Sequence, residues 1–321
     1  MDLPIHAYFK GQIVPYADAK VGVLTHALNY GTAVFGGMRG YWNQEEAQLF
    51  LFRPMDHFYR FLGSAKLMRM DFDQTPESLL QITRELLRLD GYHRDVYIRP
   101  LAYKADEIIG VKLHNLKEEI SIVAVPFDRY VTNDTNAHVT ISSWRRVDDN
   151  AIPARGKISG AYANSALIKS DAQLSGFDEA LVLTQDGHIS EGSAMNIFMV
   201  KDNVIITPPI TENILEGITR RTAIELASEE LQLPVVERQI DRTEVYLCNE
   251  FFMTGTAAEI VAVTRVDHYP IGNGEMGPIT AQLRQLFNDA VRGHLPKYRK
   301  WNVPVFAGLP VSRSTVTVSH Q

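Results

Sequence analysis

The chain has 321 residues, about twice the usual size of one domain and long enough to bury a sizeable core. At 45% hydrophobic and 22% charged, with 21 Gly and 15 Pro, the composition is that of a globular protein and excludes collagen, coiled coil and long disorder. Acidic residues outnumber basic ones 38 to 32, a formal charge of −6, so there is no electrostatic reason to expect nucleic acid or an anionic membrane as a partner. The single cysteine, Cys248, excludes an internal disulfide and reads as a small buried hydrophobe. The opening Met-Asp-Leu-Pro-Ile-His lacks a basic region followed by an apolar run, and no stretch reaches the length of about 18 apolar residues that a membrane span needs. A cytoplasmic protein is expected. The sequon Asn133-Asp134-Thr135 is accordingly read as chance.

The sequence begins as a hairpin, with Tyr8-Phe9 and Gln12-Ile13-Val14 flanking a Lys10-Gly11 turn. A short helix is expected near 25–35. Residues 48–52 alternate as a strand, and 55–70 carry apolar residues at helical spacing. Thr75-Pro76-Glu77 is a good helix start, with an N-cap, a proline at the first helical position and an acid in the first turn; that helix ends at Gly91. Strands are expected over 95–104 and 120–127. Further strands follow over 138–144, 179–184, 196–200 and 204–207, with turns at Asp186-Gly187 and Asp202-Asn203. Helices are expected over 160–174, 218–231 and 279–295. Between Phe127 and Asn136 the sequence turns polar and loses its period. The expected organisation is a small N-terminal α/β domain over 1–127, a linker over 128–136, a larger β-rich domain over 137–306, and a mobile tail over 307–321.

Ten histidines are scattered without a helical ligand pair, and neither HExxH nor a CxxC pair occurs, so no metal is expected. Gly272-Asn273-Gly274-Glu275-Met276-Gly277 matches the dinucleotide fingerprint in letters only. A helix starts at Pro278, but no βαβ unit follows, so a glycine-rich turn is the better reading. The middle of the chain says more. Arg155-Gly156-Lys157-Ile158-Ser159-Gly160 puts a lysine in a glycine-flanked junction before a helix, and Tyr162 and Glu191 follow it. Leu215-Glu216-Gly217-Ile218-Thr219-Arg220 opens an amphipathic helix, whose start offers amides and a hydroxyl to a phosphate. Met253-Thr254-Gly255-Thr256-Ala257-Ala258-Glu259 is a small-residue turn after a strand, with amides suited to another anion. Lysine, tyrosine, carboxylate and phosphate cradle together are what pyridoxal phosphate needs.

Seven segments carry a resemblance. They are Asn29-Tyr30-Gly31-Thr32, His57-Phe58-Tyr59-Arg60, Tyr97-Ile98-Arg99-Pro100, Lys157 with Tyr162, Ser190-Glu191-Gly192, Gly217-Ile218-Thr219-Arg220 and Gly255-Thr256-Ala257-Ala258-Glu259. In this order the chain resembles the branched-chain amino acid aminotransferases, class IV pyridoxal-phosphate enzymes of fold type IV, from about Tyr8 to about Val305. The resemblance implies an α/β (α+β) fold with the site between two domains. It implies transamination of L-leucine, L-isoleucine or L-valine with 2-oxoglutarate, through a Schiff base on Lys157. Glu191 resembles the partner of the pyridine nitrogen and Tyr162 the residue at the ring hydroxyl. Arg60, Ile218, Thr219 and Thr256 resemble the phosphate cup, Gly217 is implied among the cofactor-binding residues, Leu215 lies beneath the ring, and Asn196 is a neighbour. Tyr30, Phe35, Gly37, Arg39, Tyr97, Arg99 and Tyr130 are implied around the substrate side chain, and the Thr256-Ala257 amides at its α-carboxylate.

In a strand, positions two apart share a face, so Tyr97 and Arg99 point into one cavity. An apolar pocket with an arginine at its edge suits both leucine and the distal carboxylate of glutamate. The resemblance also implies at least a homodimer, with hexamers as a further assembly, and a loop over 108–115 closing the neighbour's site. Three positions depart from the family's pattern. Gly36 stands where many members carry Glu, removing a charge and loosening a turn; Phe127 stands where some carry Trp; Met195 holds a position often polar. These departures keep a D-amino acid or (R)-amine aminotransferase as the alternative, with an aminodeoxychorismate lyase behind it.

Overall fold

The structure is a computed structural model that describes residues 3–127 and 133–306. The expected tail and most of the expected linker lie outside these residues. Strands β1 (His6–Phe9) and β2 (Gln12–Pro15) form the predicted hairpin, and its turn residues Lys10 and Gly11 both take positive φ. Helix α1 (His26–Tyr30) is shorter than the helix expected over 25–35. Gly31 ends it at φ 65, and Ala33–Phe35 is instead strand β3. Strands β4 (Met38–Asn43) and β5 (Gln48–Phe52) follow, then α2 (Pro54–Leu67), α3 (Pro76–Asp90), β6 (Val96–Lys104) and β7 (Glu118–Pro126). Helix α3 starts in a capping box: the Thr75 hydroxyl accepts from Ser78 N at 3.2 Å, and Ser78 Oγ accepts from Thr75 N at 2.9 Å.

The second half is built from β8 (Ala137–Arg145), α4 (Tyr162–Leu174), β9 (Glu179–Leu183), β10 (Ile189–Gly192), β11 (Asn196–Lys201), β12 (Val204–Thr207) and α5 (Ile218–Glu229). It continues with β13 (Val235–Glu237), β14 (Glu250–Gly255), β15 (Glu259–Val266), β16 (Tyr269–Pro270) and α6 (Pro278–Val291). Strand β17 (Asn302–Pro304) then returns to pair with β5.

Two sheets result. The first runs β17-β5-β4-β6-β7-β1-β2, with β3 also on β6. The second runs β10-β9-β8-β15-β14-β11-β12-β13, with β16 on β15, and is mixed: β8 is parallel to both β9 and β15. Helices α2 and α3 cover the first sheet through Phe58, Phe61, Leu79 and Leu86, packed on Met38, Leu51, Ile98 and Ile122. A second core lies under Ile197, Met199, Phe251 and Met253. A third joins the layers: Tyr41 and Phe52 of the first sheet pack with Phe287 and Trp301, and Phe198 stacks on Phe252.

The glycine-rich run 272–277 is a turn, with Gly272 and Gly274 at positive φ. The N-terminus of α6 beyond it is already occupied. The Glu250 carboxylate accepts from Ile279 N at 3.0 Å and Thr280 N at 2.7 Å, which leaves no room for a pyrophosphate. Among the described residues, no helix is long and apolar enough to cross a membrane.

Phe58 has no exposed surface and sits at the centre of the first core. Phe58→Ala should cost about 3–5 kcal/mol, against about 1 kcal/mol for removing the α3 cap with Thr75→Ala. Urea denaturation of both variants checks this ranking.

Candidate active site

A cavity opens between the two layers. Arg60 reaches it from α2, Lys157 from the loop before α4, and Tyr162 from the first turn of α4. Glu191 comes from β10 and Asn196 from β11. Leu215 and Gly217 precede α5, Ile218 and Thr219 begin it, and Thr256 lies in the β14–β15 turn. All ten residues expected around the cofactor therefore line one cavity.

The backbone of Lys157 is fixed on both sides. Its N–H donates to Ser64 Oγ on α2 at 3.1 Å, and its carbonyl accepts from Phe35 N at 3.0 Å. The side chain reaches into the cavity, and Nζ donates to the Tyr162 hydroxyl at 2.6 Å. Burial, and then the nearby Arg60 guanidinium, push the Lys157 amine down to about 7. Burial, reinforced by the charge of Glu191, pushes the Tyr162 phenol up to about 12. Near neutral pH the pair is thus an amine about half in its uncharged form beside a protonated phenol.

Glu191 is only 4% exposed. One carboxylate oxygen pairs with Arg146 Nη2 at 2.9 Å. The other accepts from Asn196 Nδ2 at 3.1 Å and Leu215 N at 3.2 Å. Burial raises its pKa, and Arg146 opposes that shift. Asn196 Nδ2 also donates to the Leu215 carbonyl at 2.8 Å, which fixes the segment entering α5. Only glycine fits at 217, because a Cβ there would lie 2.1 Å from Asn196 Oδ1.

At the far wall, Gly217 starts α5 with no side-chain cap. Arg60 Nη1 donates to the Glu216 carbonyl at 2.9 Å, which places a guanidinium beside that helix start. The buried Thr254 hydroxyl on the same cavity has no partner. A cation and an uncapped helix start fit a phosphate, the amine fits a carbonyl, and the buried carboxylate fits a ring nitrogen. The residues present fit pyridoxal phosphate.

Of the residues expected around the substrate, Phe35, Tyr97 and Arg99 gather next to Lys157. The Phe35 ring lies 4.6 Å from the Tyr162 ring and 5.0 Å from Lys157 Nζ. The Arg99 guanidinium sits 4.5 Å over Phe35, and its Nη2 donates to the Tyr97 hydroxyl at 3.0 Å, so the two do share a face. Gly37 admits that hydroxyl, since a Cβ there would lie 2.2 Å from it. The Tyr30 hydroxyl accepts from Gly110 N at 3.1 Å. Ala257 lies in the turn beside Thr256. Tyr130 lies outside the described residues.

Arg39 pairs in register with Tyr97; it is 3% exposed, and its guanidinium binds Glu259 Oε1 at 3.0 Å and the Phe127 carbonyl at 2.8 Å. One expectation changes: the turn at Gly36 is not loose. Its N–H donates to the Pro100 carbonyl at 2.8 Å, and the Pro100 ring sits 2.6 Å from where a Cβ would be.

Arg146 carries no signal in the sequence, being an arginine with no motif around it, and the same holds for the cavity positions of Ser165 and Ser193. Thr254 has a usable signal, because it precedes the small-residue turn. Away from the cavity, Asp186, His188 and Glu212 bring potential ligand atoms within 4.8 Å of one another, a grouping that their spacing along the chain does not suggest.

The depressed Lys157 pKa makes amine reactivity depend on pH. Protein stripped of cofactor should lose reactivity at Lys157 as pH falls through about 7, when the amine takes up its proton. Borohydride trapping of a bound aldehyde from acid to alkaline pH measures this, and a midpoint near about 10, the ordinary lysine value, would refute the assignment.

The amino-transferase class IV family model matches residues 33–266. A probable branched-chain-amino-acid aminotransferase of Aquifex aeolicus is 46% identical over 300 residues, 94% of this chain and 96% of that one. The crystal structure of a branched-chain aminotransferase from Thermoproteus uzoniensis with norvaline superposes with a TM-score of 0.90 at 38% identity, covering 94% of this chain and 100% of that one. The branched-chain amino acid aminotransferase from Thermobaculum terrenum, in its PLP-bound holo-form, gives a TM-score of 0.89 at 39% identity, covering 94% of this chain and 98% of that one. With a fold of two sheets, a cavity between them that suits pyridoxal phosphate, and likeness along nearly its whole length, this chain belongs to the amino-transferase class IV family.

Proposed function

We propose that this chain is a branched-chain-amino-acid aminotransferase, which moves the amino group of L-leucine, L-isoleucine or L-valine to 2-oxoglutarate and gives L-glutamate. The observation that carries this reading is the group formed by Phe35, Tyr97 and Arg99 beside Lys157. Two aromatic rings offer an apolar surface to a branched side chain, and the exposed Arg99 guanidinium over Phe35 offers a donor to a second carboxylate. One pocket thus accepts both partners of the exchange.

Pyridoxal 5′-phosphate, when bound, supplies an electron sink for the pair released as the Cα–H bond breaks. Arg60, Ile218, Thr219 and Thr256 would hold its phosphate, Glu191 its ring nitrogen and Tyr162 its ring hydroxyl. Lys157 Nζ takes the proton from the substrate Cα and delivers it in the second stage. An amine with its pKa brought down to about 7 is suited to this work. Tyr162, protonated and 2.6 Å away, orients Nζ. Arg146, Asn196 and Leu215 N hold the Glu191 carboxylate in place and oppose its protonation.

A homodimer is part of this reading. Val23, Ile109 and Val111 are 80%, 84% and 87% exposed, with Val21 and Leu28 beside them in the chain. Their two segments are joined, since His26 N donates to the Asp106 carbonyl at 2.8 Å and His26 Nε2 lies 2.9 Å from the Gly110 carbonyl. An apolar surface of this kind favours a partner, and its bond to Tyr30 links it to the site. The division into domains over 1–127 and 137–306 is supported by the two sheets and their separate cores, with β17 crossing back into the first. A single cysteine suits the cytoplasm, where we place the protein.

Three outcomes are expected. A panel of amino donors with 2-oxoglutarate should show the L-enantiomers of leucine, isoleucine and valine as the best donors, with D-amino acids and (R)-amines slow. In Arg99→Ala, half-reactions should lose roughly 10- to 150-fold in efficiency with glutamate, the cost of one charge-assisted hydrogen bond, and far less with leucine; equal losses would show that the pocket does not distinguish the two through Arg99. Light scattering of Val111→Asp should show a smaller particle than the parent protein.

A further inference from the structure

Arg53 takes no part in the chemistry of the cavity, yet its surroundings are unusual. It precedes α2 in the left-handed region, at φ 47 and ψ 44, a conformation that non-glycine residues hold only when their surroundings impose it. Its N–H donates to the Trp301 carbonyl at 2.6 Å, and its guanidinium lies 4.5 Å over the Trp301 ring. The residue is buried, and its side-chain bonds run to two helices. Nε donates to Asp56 on α2 at 2.7 Å. Nη1 donates to Thr222 Oγ1 at 3.0 Å, and Nη2 to Glu225 Oε1 at 2.8 Å, both on α5.

These are the two helices that make the phosphate end of the cavity. Arg60 lies two turns along α2, and Ile218 and Thr219 begin α5. Thr222 itself donates to the Ile218 carbonyl at 2.9 Å, so the group that Arg53 holds is bonded to the first residue of α5. Arg60 crosses the same gap at the Glu216 carbonyl. The helices are therefore pinned twice: by Arg60 at the cavity, and by Arg53 deeper along the junction. A guanidinium suits the second task, because its rigid fork spans three acceptors at once.

We propose that Arg53 is a positioning residue for the phosphate: it sets the spacing of α2 and α5, and through it the approach of Arg60 to the start of α5. This rests on the reading that Arg60, Ile218 and Thr219 receive the cofactor's phosphate. It makes a selective prediction. A ligand that carries the phosphate depends on the spacing, and the same aldehyde without phosphate does not.

The test uses the full chain stripped of cofactor and titrated with pyridoxal 5′-phosphate or with pyridoxal, binding being followed by absorbance and by tryptophan fluorescence. Arg53→Met should weaken pyridoxal 5′-phosphate by about 10- to 100-fold, the range seen when residues supporting a ligand shell are removed, and pyridoxal by less than about twofold. Arg53→Lys should recover part of the loss. Arg60→Met is the reference variant. If it weakens both ligands equally, the phosphate reading itself fails. If Arg60→Met is selective but Arg53→Met weakens both equally, or neither, the role of Arg53 is overturned. Should Arg53→Met not fold, Thr222→Val and Glu225→Gln carry the same comparison. A smaller loss confined to the phosphate-bearing ligand supports the proposal, and an unchanged ratio of the two affinities refutes it.

Discussion

Lys157 is held by its main chain, and that constraint organises the site. Its N–H is bound to Ser64 on α2 and its carbonyl to Phe35 on β3, so both neighbours that fix it belong to the first layer. The loop itself leaves the second sheet and leads into α4. The side chain is thus spared any structural duty and projects between the layers, where Tyr162 is its close hydrogen-bond acceptor. Phe35 takes part twice. Its amide anchors the lysine and its ring forms the floor under Arg99, so substrate pocket and reactive amine are set by one short strand.

The electrostatics follow from burial acting on groups of opposite sign. Withdrawal from water disfavours charge, which lowers the lysine and raises the tyrosine and the glutamate. Arg60 adds to the first effect, while Arg146 resists the last. The cavity therefore holds a base close to neutrality and an acid that its arginine partner keeps from simple neutralisation. Hydrogen bonds from Asn196 and the Leu215 amide complete the shell of the acid, so an otherwise costly buried carboxylate has a partner at each oxygen.

Much of this is legible in the sequence where the local signal is strong. The capped helix after Thr75 and the opening hairpin stand where expected, because caps and turns act within a few residues, and strand 48–52 also stands where expected, although its burial does not alternate. Strands β4 and β10 escape a pattern reading because they are buried on both faces and show no alternation. The helix expected over 25–35 is cut short by Gly31, a stop signal inside the apolar run. Among site residues, those in glycine-flanked junctions are recognisable. Arg146 is not, since its meaning comes only from Glu191, a contact that no local pattern encodes. Arg39 likewise draws its partners, the Glu259 carboxylate and the Phe127 carbonyl, from distant parts of the chain.

The return of β17 to the first sheet bears on how the protein comes to be made. Asn302 pairs with Phe52, and the Trp301 carbonyl receives the amide of Arg53, the residue that opens α2. The first layer thus lacks an edge strand, and α2 lacks its anchor, until nearly all the described chain has been synthesised. Contacts this distant in sequence close late, after the entropy of a long loop has been overcome. On the ribosome, the N-terminal half would emerge with β5 uncovered and would need shielding from other chains during that wait. A chain stopped before residue 301 would therefore leave β5 without this partner strand and the Arg53 amide without its acceptor.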